Sequence, residues 1–292
     1  MPETDEPTSL QDRAIPELSA LDAPASGKSN VAGLRLGFRE AGNTDTPALV
    51  FLHGIGSNST GFRYQFPAFS ADFRVVSWDA PGYGGSSDLA IPAPDASDYA
   101  DALAALLDQL KIDDCHIAGS SLGAIIAASF AARYPERART LALIAPATGN
   151  RRLDPVDREA LLNSRIDDLE RYGAEGLADR RAPALVSPGA SKQALAAARE
   201  VVASIKPRGY GQAARMLANA DIFEDLAQID IATLIVVGSN DTVTPADTFA
   251  GPINAATRNS EYHIIEGPGH LIKIEAPDIF NETLHDFLTR HG

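Results

Sequence analysis

The sequence predicts an α/β fold: a mostly parallel central sheet flanked by helices, with a helical cap inserted between two of its strands. Three observations carry this. Short apolar runs alternate with helix-length amphipathic segments in the first half of the chain, the alternation stops between Ala147 and about Gln228, and it then resumes to the end. With 292 residues and 45% hydrophobic content, the chain can bury a large core and still carry an insertion. The division that follows is an amino-terminal extension over 1–26, a core built from 27–146 and 227–292, and a cap over 147–226.

Taken in order, residues 1–26 are rich in Pro, Ser, Asp and Glu and read as an extension that is loosely ordered or draped on the surface, with no recognisable chemistry. Leu34 to Glu40 alternates like an early strand. Ala48-Leu49-Val50-Phe51-Leu52 is apolar throughout, as expected of a central strand buried on both faces. Phe73 to Trp78 is a further strand, stopped by the Gly- and Pro-rich stretch Asp79 to Ser86. Leu103, Leu106, Leu107 and Leu110 give the segment from Ser97 to Leu110 a helical stripe. Cys115 to Ala118 (strand), Leu122 to about Tyr134 (helix, ended by Pro135) and Thr140 to Ile144 (strand) continue the alternation. In the cap, helix-length segments break at Gly173, Pro183, Pro188 and Pro207. Thr233 to Val237 and Tyr262 to Ile265 are the last strands, and a helix from Asp278 to Leu288 closes the chain.

Composition excludes several classes of function. There are 25 basic against 39 acidic side chains, and a net charge of -14 repels nucleic acid and anionic membranes. The one cysteine, Cys115, is a small filler beside a strand, unable to form an internal disulfide, and Cys and His lack zinc-site spacing. The acidic start, Met1 to Glu6, precedes no apolar stretch of the secretory kind, so the expected location is cytoplasmic. No run reaches the roughly 18 apolar residues of a membrane span. The expected partner is a small-molecule substrate, with monomer and homodimer both open.

Four loops that follow strands carry the chemistry: His53-Gly54-Ile55-Gly56, Gly119-Ser120-Ser121-Leu122-Gly123, the loop containing Asp241, and Gly267-Pro268-Gly269-His270. The carboxyl ends of parallel strands share one edge of the sheet, so these loops can meet there. G-x-S-x-G alone arises by chance in a chain of this length roughly one time in ten, so the other loops are needed to give it meaning. A serine hydroxyl attacks only if a base removes its proton; His270 can be that base and Asp241 the carboxylate that fixes its tautomer. Backbone N–H groups of Ile55 and Leu122 fit the place of oxyanion donors. The plainer readings are an ordinary helix N-cap for Ser121, a loop histidine for His270 and a mere turn at Asn240-Asp241. Asp247 and Glu266 compete with Asp241, and the other acid position, Ala145-Pro146-Ala147, offers no carboxylate. His53 is read as shaping its loop, and His116, His263, His285 and His291 as structural or solvated. Leu177, Leu185, Val186, Met216 and Leu217 of the cap are read as packing more than lining, and Arg151 and Arg152 as solvated surface rather than partners of a substrate carboxylate.

These segments, with Asp79 to Ser86 and Gly238-Ser239-Asn240-Asp241 followed by Pro245, resemble the α/β-hydrolase superfamily, in its cap-bearing branch of esterases, lactonases, carbon-carbon bond hydrolases and perhydrolases. The resemblance covers about residues 30–292. It implies the α/β-hydrolase fold, Ser121 as nucleophile, Asp241 as orienting acid, His270 as base, Ile55 and Leu122 as oxyanion donors, and no metal or organic cofactor. Ser121 stands where haloalkane dehalogenases and epoxide hydrolases carry aspartate. Leu271 and Ser120 stand where carbon-carbon hydrolases often carry an aromatic residue and asparagine, and Ile55 where perhydrolases usually carry an aromatic. The expected activity is therefore hydrolysis of a carboxylic ester or lactone, with carbon-carbon bond hydrolysis of a dienoic keto acid as the second reading. The third reading is a small-molecule receptor that keeps the pocket.

Overall fold

In the computed structural model, which describes residues 14–24 and 31–292, the chain forms eight strands: β1 (Ser19–Asp22), β2 (Arg35–Ala41), β3 (Ala48–Leu52), β4 (Arg74–Trp78), β5 (Cys115–Ser120), β6 (Ala138–Ile144), β7 (Thr233–Gly238) and β8 (Ser260–Ile265). They make one sheet in the order β1-β2-β4-β3-β5-β6-β7-β8. From β4 to β8 every pairing is parallel, whereas β1 and β2 run antiparallel at one edge. The helices are α1 (Gln65–Phe69), α2 (Ala96–Gln109), α3 (Leu122–Arg133), α4 (Pro155–Leu185), α5 (Lys192–Ala203), α6 (Pro207–Asn219), α7 (Ile222–Leu226), α8 (Ala250–Ala256), α9 (Ile272–Glu275) and α10 (Pro277–His291).

Of the two readings of the extension, β1 favours the draped one for residues 19–22 and adds a strand that the sequence did not announce. Its four residues pair with Arg35 to Phe38, and Leu21 packs against the core, so this part of the segment is ordered by the sheet edge it completes. The rest of the extension, residues 1–13 and 25–26, lies outside the described residues, as do 27–30.

Successive side chains on a strand face opposite ways, which is why β3 has to be apolar at every position. Val50 and Leu52 join a core layer with Leu103 and Leu107 of α2 and Ile125 and Phe130 of α3. Leu49 and Phe51 enter the opposite layer, with Phe69 of α1 and Phe280 and Phe287 of α10. Each such side chain taken out of water contributes about 1.5–3 kcal/mol, so the central strands are held from both sides and present their carboxyl ends as a rigid edge. Cys115 is buried and free in β5, with burial pushing its thiol up to about 12.

Helices α4 to α7 fill the interval between β6 and β7. Gly173, at φ 65° and ψ -178°, interrupts α4 as expected. Pro183 does not break it: the helix runs on to Leu185, because a proline two residues from the end forfeits little of the remaining hydrogen bonding. Pro207 begins α6 rather than ending its predecessor; its fixed φ and missing N–H suit the first helical position. α6 docks on the loop after β4, where Gly209 and Gly82 approach so closely that a Cβ on Gly209 would lie 2.0 Å from the Gly82 carbonyl oxygen. Gln212 Nε2 fastens the same contact by donating to the carbonyls of Leu89 (2.9 Å) and Ile91 (2.6 Å). Among the described residues, no helix is long and apolar enough to cross a membrane.

Candidate active site

β5 ends at Ser120 and α3 begins at Leu122, leaving Ser121 alone to turn the chain. It does so at φ 56° and ψ -115°, a conformation that costs a non-glycine residue about 1–3 kcal/mol. The flanking glycines make the turn possible. A Cβ on Gly119 would sit 2.2 Å from the Gly123 carbonyl oxygen, and one on Gly123 would sit 2.3 Å from that of Leu52. The turn is tied to the end of β6, with Ser121 N–H donating to Ile144 O at 2.9 Å and Ala147 N–H donating to Ser121 O at 3.2 Å. Ser121 is no side-chain N-cap, because its hydroxyl makes no capping bond to α3.

The loop after β3 lies directly against this serine: a Cβ on Gly54 would be 3.0 Å from Ser121 Cβ and 3.6 Å from its Oγ. His53 shapes that loop, as expected. Its Nε2 accepts from Ala80 N–H at 3.0 Å and its Nδ1 donates to Gly54 O at 2.9 Å. That pattern requires the neutral ring, and burial lowers its pKa accordingly. The backbone N–H groups of Ile55 and Leu122 have no protein acceptor among the described residues.

From the other side, β7 delivers Asp241 and β8 delivers His270, both nearly inaccessible to solvent. His270 Nδ1 donates to Asp241 Oδ2 across 2.8 Å, which leaves Nε2 as the free acceptor of the ring. The competing carboxylates, Asp247 and Glu266, make no bond to His270. Asp241 Oδ1 accepts the backbone N–H groups of Val243 and Thr244 at 2.8 and 2.9 Å, and Thr244 Oγ1 lies 2.8 Å from Oδ2. Burial pushes the Asp241 carboxyl up, but the bonds from His270 and Thr244 outweigh it and hold it below the usual carboxylate value.

Ser121 and His270 open on one cavity of about 240 Å³, which Gly54 and Ile55 also line. Among the described residues the Ser121 hydroxyl has no protein partner, so hydroxyl and imidazole face a common space without a bond between them. The far wall comes from α4 to α6. Leu185 and Leu217 line it, whereas Leu177, Val186 and Met216 are packed away from it. Three arginines of α4, Arg165, Arg180 and Arg181, border the cavity together with Lys273, and no Asp or Glu does. Arg151 and Arg152 lie elsewhere, paired with Glu224 and Asp221.

A model of the alpha/beta hydrolase fold matches residues 47–277. The chain belongs to the alpha/beta hydrolase family. It is 31% identical, over 282 residues, to the 2-hydroxy-6-oxononadienedioate/2-hydroxy-6-oxononatrienedioate hydrolase of Escherichia coli, covering 92% of this chain and 95% of that one. An esterase from Thermogutta terrifontis shares the fold with a TM-score of 0.84 at 22% identity, over 94% of this chain and 100% of that one. The enol-lactonase of Burkholderia xenovorans LB400 superposes with a TM-score of 0.78 at 24% identity, over 88% of this chain and 97% of that one.

Within this alpha/beta hydrolase, the remaining histidines stay away from the cavity. His116 is buried against Thr140 Oγ1 at 2.9 Å and burial lowers it to about 4; His263 and His291 face Glu261, and His285 faces Asp72, at the surface. No cluster of His, Cys, Asp and Glu among the described residues is placed to hold a metal ion. Sequence reasoning missed Thr244, Lys273 and the three α4 arginines. Two of these left a signal: Thr244 stands three residues after an aspartate that caps its own turn, and Lys273 is a lone charge in the apolar run Leu271-Ile272-Lys273-Ile274.

Proposed function

We propose that this alpha/beta hydrolase is a serine enzyme that cleaves a carboxylic ester or lactone of a small molecule through an acyl-enzyme on Ser121. The single observation that carries the reading is the shared cavity, where a strained serine, a histidine oriented by Asp241 and the loop bearing the unengaged N–H of Ile55 meet. In this mechanism substrate binding brings the Ser121 hydroxyl to His270 Nε2; catalytic contacts of this kind are often open in unliganded enzymes. Nε2 takes the proton as Oγ attacks the carbonyl carbon, and Asp241 steadies the imidazolium. The resulting oxyanion accepts from the N–H groups of Ile55 and Leu122, and losing one such donor costs about 10²- to 10³-fold in rate. The intermediate collapses as the leaving alkoxide takes the proton from His270. Water, deprotonated in turn by His270, then releases the acid and restores Ser121. Every proton passes through His270, so the scheme calls for no metal or organic cofactor.

Residues 147–226 act in this reading as a cap that roofs the site and selects the substrate. Of the three arginines on its α4 wall, Arg181 is paired with Asp168 at 3.2 Å, whereas Arg165 and Arg180 have no ion pair among the described residues and suit a substrate that itself carries a carboxylate. That feature also favours the second reading, cleavage of a carbon-carbon bond in a dienoic keto acid, because the Escherichia coli relative is named for such a dioate. Fluorophosphonate labelling followed by mass spectrometry tests the mechanism: modification at Ser121 is expected, and modification elsewhere or none overturns it. Assay of p-nitrophenyl esters, with and without a free carboxylate, beside a ring-cleavage keto acid separates the two reactions. Strong preference for the keto acid reverses their order.

A further inference from the structure

Lys273 is the second residue of α9, three positions after His270, and its side chain turns inward rather than toward water; the residue is 2% exposed. Its Nζ donates to Ser120 Oγ at 2.8 Å and lies 5.0 Å from the centre of the Phe62 ring. Among the described residues it has no ion pair. A buried ammonium with no carboxylate in contact is a costly thing for a fold to keep. This one and Ser120 both border the cavity that Ser121 borders, and Ser120 is covalently next to Ser121. The backbone binds the same parts together: the Ser120 carbonyl oxygen lies 3.1 Å from where a Cβ on Gly54 would stand, so lysine anchor, serine turn and the loop bearing Ile55 form one packed unit.

We propose that Lys273 is a positioning residue for the hydrolytic reaction: anchored on Ser120, its ammonium holds the nucleophile turn and sets a fixed positive charge beside it that favours the negative charge formed on carbonyl attack. The proposal deepens the reading of Ser121 as nucleophile and rests on it. Lys273 makes and breaks no covalent bond and keeps its proton through the cycle.

A charge held this way acts only while it exists. Burial lowers Lys273 to about 7, with the nearby Asp241 carboxylate opposing the fall. The other groups around it leave it the exposed variable. Burial lowers the pKa of His53, the Glu275 carboxylate is occupied by the N–H groups of Gly269 and Ser187, Glu200 on α5 is paired with Arg63, and the α4 arginines line the far wall of the cavity. The charge is present on the acid side of about pH 7, and on the alkaline side Lys273 loses it.

The test compares wild type, Lys273→Met and Ser120→Ala on a neutral p-nitrophenyl ester across this pH range, with melting temperature and fluorophosphonate labelling of Ser121 as controls. Wild type is expected to lose activity above about pH 7. In Lys273→Met, kcat and kcat/KM fall together about tenfold or more on the acid side of that point, KM changes little and the alkaline limb disappears. Ser120→Ala, which keeps the charge but removes its anchor, gives a smaller loss and keeps the limb. A folded Lys273→Met protein that retains wild-type kcat, or an alkaline limb unchanged in it, overturns the proposal while labelled Ser121 leaves the nucleophile standing. Wild type that takes no label overturns the nucleophile itself, and this proposal with it.

Discussion

Asp241 reaches His270 through one carboxylate oxygen, Oδ2 to Nδ1 at 2.8 Å, while its other oxygen is held by the backbone N–H groups of Val243 and Thr244. The carboxylate therefore cannot rotate without breaking its own loop. Asparagine at this position keeps the shape but brings an amide that donates where the carboxylate accepts. Asp241→Asn is accordingly expected to favour the wrong tautomer of His270 and to lower kcat on the order of 10⁴-fold, with KM nearly unchanged. Steady-state kinetics on an ester, beside circular dichroism to verify the fold, checks this; activity within an order of magnitude of wild type would remove Asp241 from the mechanism.

Gly54 leaves no room beside Ser121. Gly54→Ala sets a methyl 3.0 Å from Ser121 Cβ and 3.1 Å from Ser120 O, and one of them has to move. Overpacking of this size costs about 1–3 kcal/mol of stability. Displacing the proposed nucleophile or the Ile55 N–H by a fraction of an ångström is expected to cost more in rate, about 10²-fold, than the melting temperature alone suggests. Parallel thermal melts and rates separate the two effects: loss of activity in step with loss of folded protein would contradict the geometry.

Ser121 stores strain that its hydroxyl does not need. Ser121→Ala and Ser121→Gly both abolish acyl-enzyme formation in the proposed mechanism, but only glycine is at ease at φ 56°. The strain released, about 1–3 kcal/mol, exceeds the entropic cost of glycine, about 0.5–1 kcal/mol. Ser121→Gly should therefore melt above Ser121→Ala, and calorimetry of the two inactive variants reads the difference directly. Equal or reversed melting temperatures would mean that the turn carries no such strain.

The residues that sequence alone could place are those whose position follows from strand ends. Ser121, Asp241 and His270 each follow a strand-like run, buried for the first two and at the sheet edge for the third, and a parallel sheet gathers such ends at one edge. Nothing comparable locates Arg165, Arg180 and Arg181, because which side of α4 meets the cavity depends on the bend at Gly173 and on where α6 docks against Gly82. On sequence, Arg151 and Arg152 were equally available, and the structure places them in surface pairs instead. β1 escaped for a different reason: four polar-flanked residues have little signal of their own, and their strand exists only because β2 offers an unpaired edge.

Lys273 ties stability to pH in a direction that can be stated in advance. Its pKa falls from the model-peptide value near 10.4 in the unfolded chain to about 7 in the folded one. Below pH 7 both states are protonated and the fold bears the whole cost of the buried charge, on the order of 5 kcal/mol. Between about 7 and 10 the unfolded chain binds more protons than the folded one, so wild-type stability rises with pH across that interval. Lys273→Met has no such charge, and loses only the bond to Ser120, about 1–3 kcal/mol. Urea unfolding should find the variant more stable than wild type by a few kcal/mol at pH 6, on the order of the difference between those two quantities, with the gap shrinking as pH rises and reversing sign toward pH 10, where only the lost bond to Ser120 remains. A gap of either sign that does not change with pH would show that this lysine is not buried as a cation, and would remove the alkaline limb expected for the rate.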